Sequence, residues 1–338
     1  MIFNMKYTND KSTQIVLALL KAHGIKKVIA SPGTTNIALV ASMQQDPWFE
    51  MYSSVDERSA AYMACGMAAR SGEAVVLTCT GATASRNYFP GLTEAFYRKL
   101  PVLAITGSHG DEQTGHLHAQ TMDRRFQPCD SVKMSVAVDE VRDTDEEWST
   151  IVKVNTALLE LFHRGNGPVH INLRQATGRG FDTEKLPEVR KIDRIIDLNQ
   201  IPKISANSVA IFIGSHREFT NNETESIEEF CEKYNATVFC DHTSGYHGKY
   251  KVLYALPGCQ LRYKKSIRVD LLIHLGEISG DFYSTSRIKG KFTWRVSEDG
   301  TIKDLYRNLS IVFEMSELYF FKQCNLGYNG KKEMTLYA

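Results

Sequence analysis

The chain has 338 residues, a length that suggests two domains. Its 40 Lys and Arg residues balance 39 Asp and Glu residues, and a net charge of +1 argues against nucleic acid or an anionic membrane surface as the partner. No stretch approaches the ~20 consecutive apolar residues of a membrane helix, and the first residues show no signal-peptide pattern. Seven cysteines without a CxxC pair suit reduced thiols, so we expect a soluble cytoplasmic α/β protein.

In the first half of the chain, short apolar runs alternate with segments of helical periodicity. Helices are predicted at residues 12–23, 59–69, 87–98 and 148–162, and strands at residues 28–30, 51–55, 74–79, 102–106 and 169–173. The run at 74–79 is continuously apolar, as in a parallel sheet that is buried on both faces. This alternation predicts a doubly wound parallel sheet.

The second half repeats the pattern after a polar stretch that Gly and Pro residues interrupt. Strands are predicted at residues 209–213, 237–240, 271–275, 292–296 and 310–313, with a helix at 223–234. The fold class is therefore α/β, with two Rossmann-like domains. We place the domains at 1–178 and 207–322, with a linker at 179–206 and a tail at 323–338.

Four loops follow predicted strands of the first domain, and ligands of open parallel sheets bind beyond the carboxyl ends of the strands. They begin at Ser31, Asp56, Thr80 and Gly107. Asp56 and Glu57 are the only carboxylates offered at the starts of these loops. One interpretation makes them an ordinary helix start, with Asp as the cap and Glu favoured by the helix dipole. The other holds a carboxylate in a partly apolar cleft, where its pKa would rise toward that of a weakly basic ring nitrogen.

Three motifs carry a resemblance to a known family. They are SPGTTNIALVASM from Ser31, VDERSAAYMACGMAA from Val55, and TCTGATASRNYFPGLTEAFYRKLPVLAITG from Thr78. Together they resemble the pyrimidine-binding domain of thiamine-diphosphate enzymes, closest to the carboligases of menaquinone synthesis, the 2-succinyl-5-enolpyruvyl-6-hydroxy-3-cyclohexene-1-carboxylate synthases, and their relatives. The likeness is strong for residues 25–125. It continues more loosely through LLIHLGEISGDF and RIKGKFTWRVSEDG, which resemble the family's central domain.

The resemblance implies a catalytic role for Glu57. The family has a glutamate here that hydrogen-bonds N1′ of the aminopyrimidine ring and favours the tautomer whose 4′-nitrogen removes the thiazolium C2 proton. The cofactor stabilises the carbanion, so the protein contributes orientation and proton control. The implied reaction is decarboxylation of a 2-oxo acid followed by carbon–carbon bond formation.

The same comparison implies other site residues. The cofactor-binding set is Glu57, Ser31, Pro32, Gly33, Thr80, Gly81 and Asn87. The substrate set is Thr34, Thr35, Arg58 and Gln120. Gln120 is equally well interpreted as a solvated loop amide. The resembled synthases have an arginine where this chain has Thr35, and a hydroxyl cannot replace the charged, bidentate contact of a guanidinium with a carboxylate. This difference bears on the menaquinone substrates more than on the cofactor.

Family members hold the diphosphate and its Mg²⁺ on a third domain, through a Gly-Asp-Gly segment and a later Asn that this sequence does not contain. We therefore expect an incomplete enzyme: a natural subunit completed by a separate diphosphate-domain chain, a truncated product, or an engineered fragment. Thiamine diphosphate with Mg²⁺ is the expected cofactor, in a dimer or tetramer. FAD is not expected, because no glycine fingerprint is present, and no metal ligands are assigned to this chain. The alternative is a non-catalytic remnant or regulatory binding protein with the same fold.

Overall fold

The computed structural model describes residues 6–123, 126–175, 180–254, 257, 266–280 and 285–328. The chain divides into two compact units, residues 1–191 and residues 192–338. Each unit is built on its own parallel sheet, so the predicted α/β class with two doubly wound domains is confirmed.

The first unit contains a six-stranded sheet. Its strands are β1 (Lys27–Ala30), β2 (Glu50–Ser53), β3 (Val75–Thr80), β4 (Val102–Ser108), β5 (Met134–Val138) and β6 (Val169–Arg174). Their order across the sheet is β2-β1-β3-β4-β6-β5, and every pair is parallel. Because β2 and β3 flank β1 on opposite sides, the strand order reverses between β1 and β3, where open α/β sheets bind ligands.

Helices cover both faces of this sheet. They are α1 (Lys11–Ala22), α2 (Ile37–Gln45), α3 (Glu57–Ser71), α4 (Ala84–Asn87), α5 (Phe89–Tyr97) and α6 (Thr144–Glu160). Successive strand residues point to opposite faces, so Val76 packs with α1 and α6 whereas Leu77 packs with α3 and α5. The face of α3 that packs against the sheet consists of small residues, including Ala60, Ala61 and Ala64, which are fully buried. These residues let α3 lie close to the sheet and fix the position of its first turn.

The second unit contains a seven-stranded parallel sheet. Its strands are β7 (Asp193–Ile195), β8 (Val209–Ile213), β9 (Thr237–Cys240), β10 (Lys251–Leu253), β11 (Ile267–Leu275), β12 (Ile288–Val296) and β13 (Leu309–Phe313). Their order is β10-β9-β8-β11-β12-β13-β7. Two helices, α7 (Asn221–Tyr234) and α8 (Glu317–Leu326), pack against one face through buried aromatic side chains such as Phe230 and Phe321.

The predicted linker, residues 179–206, contributes to both units. Thr183 forms an antiparallel bridge with Tyr7 in the first unit, and β7 adds an edge strand to the second sheet. Part of the predicted tail, residues 323–326, belongs to α8. Residue 179 of the predicted linker and residues 329–338 of the predicted tail lie outside the described residues.

Two further observations bear on the sequence analysis. The six cysteines of the described segments form no disulfide bond, and Cys259 lies outside these segments. Within the same segments, every helix is too short or too polar to span a lipid bilayer.

Candidate functional site

The four predicted loops all leave strands at the same edge of the first sheet, because parallel strands share the direction in which they end. The loop after β1 begins at Ser31, and the loop after β3 includes Gly81. These two loops flank the reversal of strand order. The loop after β2 leads into α3, whose first residue is Glu57. The loop after β4 leads to His109.

Asp56 and Glu57 have different roles at the start of α3. Asp56 is the cap, because its Oδ2 accepts hydrogen bonds from the Ser59 amide at 2.7 Å and from the Ser59 hydroxyl at 2.6 Å. These bonds to Ser59 lower the pKa of Asp56 below its ordinary value. Glu57 takes no part in capping. The helix-start interpretation is therefore confirmed for Asp56, and the cofactor role of Glu57 stays a prediction.

Glu57 forms a hydrogen bond with Asn87, the last residue of α4. Asn87 Nδ2 donates to Glu57 Oε2 at 3.0 Å. Glu57 is partly exposed, and no ion pair to it is found within the described segments. Tyr88, which follows Asn87, is fully buried in the core beside α3, and burial raises the pKa of its phenol. The burial of Tyr88 fixes the end of α4. It therefore holds the side-chain amide of Asn87 against one oxygen of the Glu57 carboxylate.

Thr35 connects the loops after β1 and β3 to the end of β4. Its hydroxyl donates to the Gly107 carbonyl at 2.9 Å and accepts from the Gly81 amide at 3.4 Å. A Cβ on Gly107 would lie 2.1 Å from the Thr35 carbonyl oxygen, and a Cβ on Gly33 would lie 2.3 Å from Thr80 Cγ2. Thr35 is buried, so its hydroxyl joins loops instead of facing solvent.

Sequence reasoning assigned no role to Asn36, which holds the first loop from beneath. The Gly33 amide donates to Asn36 Oδ1 at 2.8 Å. Asn36 Nδ2 donates to the Ser31 carbonyl at 3.3 Å and to the Thr78 hydroxyl at 3.2 Å. Asn36 is fully buried. The sequence feature that could have identified Asn36 is its position, since it is a polar residue at the start of an apolar helical segment.

A narrow cleft opens beside this interlock. Its lining includes Thr35, Gly81, Ser108, His109, Gln120 and Asn172. Gln120 has a positive φ of 57° and an exposed side chain at the rim. The space at the floor admits about one water molecule, so only a small group enters the cleft in this state.

Of the other predicted site residues, Ser31 is buried, and its hydroxyl donates to the Ser54 carbonyl at 2.7 Å, which joins the loops after β1 and β2. Pro32, Thr34 and Arg58 are exposed, and within the described segments no ion pair of Arg58 is found. The structure thus brings Thr35, Gly81 and Gln120 to one cleft and pairs Glu57 with Asn87. The predicted roles of all these residues stay predictions.

A second set of residues without an assigned role forms a buried polar row across β4, β5 and β6. His170 Nδ1 lies 2.8 Å from the Ser135 hydroxyl, and His170 Nε2 lies 2.8 Å from the Thr106 hydroxyl. Thr106 donates to Asn172 Oδ1 at 3.4 Å. Thr106, His170 and Asn172 are buried, and the polar residues that interrupt these apolar strands were the signal.

In the second unit, the strand order reverses between β8 and β11, but the loops that follow these strands are in contact. Ser215 and Glu277 form an antiparallel bridge, and the Glu277 amide donates to the Ser215 carbonyl at 2.7 Å. A Cβ on Gly214 would lie 2.0 Å from the Glu277 carbonyl oxygen. A dinucleotide at this position would have to separate two hydrogen-bonded backbones.

His109, His116 and His118 share one loop, but they do not form a metal centre with their neighbours in the part of the chain that the structure describes. No group of three or more His, Cys, Asp or Glu residues there has the arrangement of a metal site.

Because Gly107 lies so close to the backbone of Thr35, one added methyl group there should lower the stability of the fold. Gly107→Ala places a Cβ against backbone atoms of Thr35 and Asn36, which cannot move aside as a flexible side chain can. We expect a loss of about 1–3 kcal/mol in the free energy of unfolding, measured by urea denaturation.

The matched control is Gly66→Ala in α3. A Cβ on Gly66 meets no atom within 4 Å, so this variant should gain about 0.5–1 kcal/mol from helix propensity. A Gly107→Ala protein as stable as the wild type would contradict the interlocked arrangement.

Comparison with known proteins finds matches for the segment that contains this site. Residues 10–129 match the family described as thiamine pyrophosphate enzyme, N-terminal TPP binding domain. A 2-succinyl-5-enolpyruvyl-6-hydroxy-3-cyclohexene-1-carboxylate synthase of Bacteroides thetaiotaomicron is 31% identical over 339 residues, covering 94% of this chain and 60% of that protein. A synthase of the same name from Bacteroides fragilis is 37% identical over 194 residues, covering 57% of this chain and 35% of that protein.

Among solved structures, an X-ray structure of a Mycobacterium smegmatis protein, provisionally described as a thiamin diphosphate-dependent enzyme, matches at 17% identity with a TM-score of 0.44. The match covers 94% of this chain and 62% of that one.

The chain thus spans about three fifths of the length of the Bacteroides thetaiotaomicron synthase that it matches. The match to that synthase runs through both units, and the family model covers the segment that contains Ser31, Glu57, Asn87 and Gln120. Residues 10–129 therefore match the N-terminal TPP-binding domain of the thiamine pyrophosphate enzymes, and the resemblance that the sequence motifs indicated is confirmed.

Proposed function

We propose that this chain is the thiamine-diphosphate-binding component of a 2-oxo acid decarboxylase or carboligase. The observation that carries the proposal is the Glu57 carboxylate, which is held through Oε2 by Asn87 at the start of α3. Bound thiamine diphosphate would supply an electron sink for the carbanion that decarboxylation produces. The names of the relatives support a carboligase type of reaction.

The residues present fit the aminopyrimidine end of this cofactor. One oxygen of Glu57 accepts from Asn87, and the described residues offer no partner to the other, Oε1. That oxygen is available to hold a proton at N1′ of the ring. Gly33 and Gly81 allow the loops beside Glu57 to pack closely, because a Cβ on them would lie 2.3 Å from Thr80 Cγ2 and 2.8 Å from the Gly107 carbonyl oxygen. Asn87 would act as a positioning residue, because it fixes the direction of the carboxylate.

The diphosphate and its Mg²⁺ need ligands that this part of the protein does not supply. Magnesium prefers carboxylate, amide and phosphate oxygens in octahedral geometry. The described residues contain no cluster of that kind. We propose that a separate diphosphate-domain chain, or further residues of the same protein, provides these ligands and completes the site over Glu57.

The proposal is tested by calorimetric titration of thiamine diphosphate with Mg²⁺, into the chain alone and into the chain with a candidate diphosphate-domain partner. Glu57→Gln should weaken binding by about tenfold to a hundredfold, because it removes a charged acceptor of a hydrogen bond. The matched control is Glu94→Gln, which removes an exposed carboxylate from α5.

Equal affinities of the wild type and Glu57→Gln would show that another group binds the ring. Absence of binding in both titrations would favour the non-catalytic alternative.

We also propose that two copies of the chain associate through α3. Tyr62 and Met63 expose 48% and 43% of their surface on this helix, and Val55 just before it exposes 91%. These apolar side chains lie on both sides of Glu57 in the chain, so a second copy that covers them would also shield the carboxylate from water.

Tyr62→Glu should convert a dimer or larger oligomer to monomer, because it places a charge in the apolar contact. Sedimentation equilibrium measures the mass directly. Tyr319→Glu, at a position in α8 with 60% exposure, is the control and should leave the oligomer intact. A wild-type monomer, or an unchanged oligomer in Tyr62→Glu, would contradict the proposed contact.

A further inference from the structure

A pocket of about 300 Å³ opens in the second unit, at the edge of the sheet where β8 begins. Residues 203–207, which form part of its wall, precede β8, and β11 pairs with β8 only from Leu271 onward. Ligands of open parallel sheets bind at the opposite edge, beyond the carboxyl ends of the strands, so this is not the nucleotide position typical of the fold. The pocket is as large as a small-molecule site. Its lining includes Lys203, Asp270, Lys291, Phe292 and Trp294.

The pocket is bordered by positive charge. Beside it, β11 and β12 extend beyond the start of β8. Arg268 and Lys289 in this extension are exposed and pair in register on neighbouring strands, so their charges repel each other. Within the described segments, no ion pair is formed by Arg268, Lys289 or the two lysines of the lining, Lys203 and Lys291. Several unpaired cations around one pocket favour an anionic ligand, and a phosphate over a singly charged carboxylate.

Phe292 forms an aromatic wall of the pocket. It is 52% exposed, although β12 lies in the interior of the sheet. The Lys291 ammonium lies 5.5 Å from the centre of the Phe292 ring, so a positive charge is held beside this flat surface. Trp294 is fixed by packing against Phe313, with ring centroids 5.1 Å apart. A half-exposed ring next to an ammonium suits a ligand in which a flat heterocycle and an anion are joined.

Asp270 adds a hydrogen-bond acceptor to the lining. Its Oδ2 accepts from the Asn207 amide at 2.8 Å, from the Ser208 amide at 3.1 Å and from the Ser208 hydroxyl at 3.3 Å. The bonds from Ser208 and Asn207 lower the pKa of Asp270, so its side chain is a carboxylate at neutral pH. The described residues donate no hydrogen bond to Oδ1. That oxygen is available to an amino group of a ligand.

We propose that this pocket binds a nucleoside monophosphate whose base carries an exocyclic amino group, as adenine does. The base stacks on Phe292, and its amino group donates to Asp270 Oδ1. The phosphate binds Lys203 and Lys291, so the lysine side chains replace the glycine fingerprint that this sequence lacks. A volume of about 300 Å³ suits one nucleotide and not a dinucleotide. The site is independent of the proposed function, because it uses no residue of the first unit.

The test is isothermal titration calorimetry with adenosine 5′-monophosphate, in the absence of thiamine diphosphate. Phe292→Ala should weaken binding about fivefold or more, because it removes the stacking surface. Lys291→Gln should weaken binding about three- to tenfold, because it removes a cation from the phosphate. Inosine 5′-monophosphate, which has a carbonyl oxygen in place of the amino group, should bind about two- to tenfold more weakly.

The control variants are Tyr319→Ala, which removes another exposed aromatic side chain of the second unit, and Lys26→Gln, which removes an exposed lysine of the first unit. Both should bind adenosine 5′-monophosphate as the wild type does, and so should Glu57→Gln, which separates this site from the proposed cofactor site. The proposal is overturned if the wild type shows no saturable binding, or if Phe292→Ala or Lys291→Gln binds as tightly. It is also overturned if inosine 5′-monophosphate or inorganic phosphate binds as tightly as adenosine 5′-monophosphate.

Discussion

The hydrogen bond from Asn87 to Glu57 joins residues that are 30 positions apart and come from two different strand–helix units. It forms because β2 and β3 end at the same edge of the sheet. The helices that follow these strands, α3 and α4, therefore lie close to each other at that edge. Asp56 caps α3, so the carboxylate next to it is not needed by the helix. A carboxylate with one oxygen fixed by the fold and the other available has a defined direction for a ring nitrogen, which is what proton control at that ring requires.

The surrounding loops depend on close backbone approach. Thr35 connects the loops after β1 and β3 to the end of β4 through one hydroxyl, and Gly107 leaves the space that this contact needs. Thr35 therefore has a structural role, because its hydroxyl holds these segments together. At the position where the resemblance implies an arginine, this chain has a buried residue that joins loops.

Much of the fold could be predicted from the sequence, because buried parallel strands are continuous apolar runs and β1, β3, β4, β8 and β9 all have this character. The strands without a prediction, β5, β7 and β10, lie at sheet edges, where half-burial weakens the apolar signal. The predicted helix at 87–98 corresponds to α5, which has Pro90 in its first turn, and only Asn87 of that range belongs to the preceding α4. The site motifs identified Glu57 and Asn87, but their contact and the row from Ser135 to Asn172 depend on strand order, which local patterns do not specify.

A double-mutant cycle on thiamine diphosphate affinity tests directly whether Asn87 contributes to cofactor binding by orienting the Glu57 carboxylate. Affinities would be measured by calorimetry for the wild type, Glu57→Gln, Asn87→Ala and the double variant. If Asn87 orients the carboxylate, its removal should cost much less once Glu57 is gone, with a coupling energy of about 1 kcal/mol or more. Effects that add within ~0.5 kcal/mol would mean that the two residues bind the cofactor independently, or not at all, and would contradict the central claim.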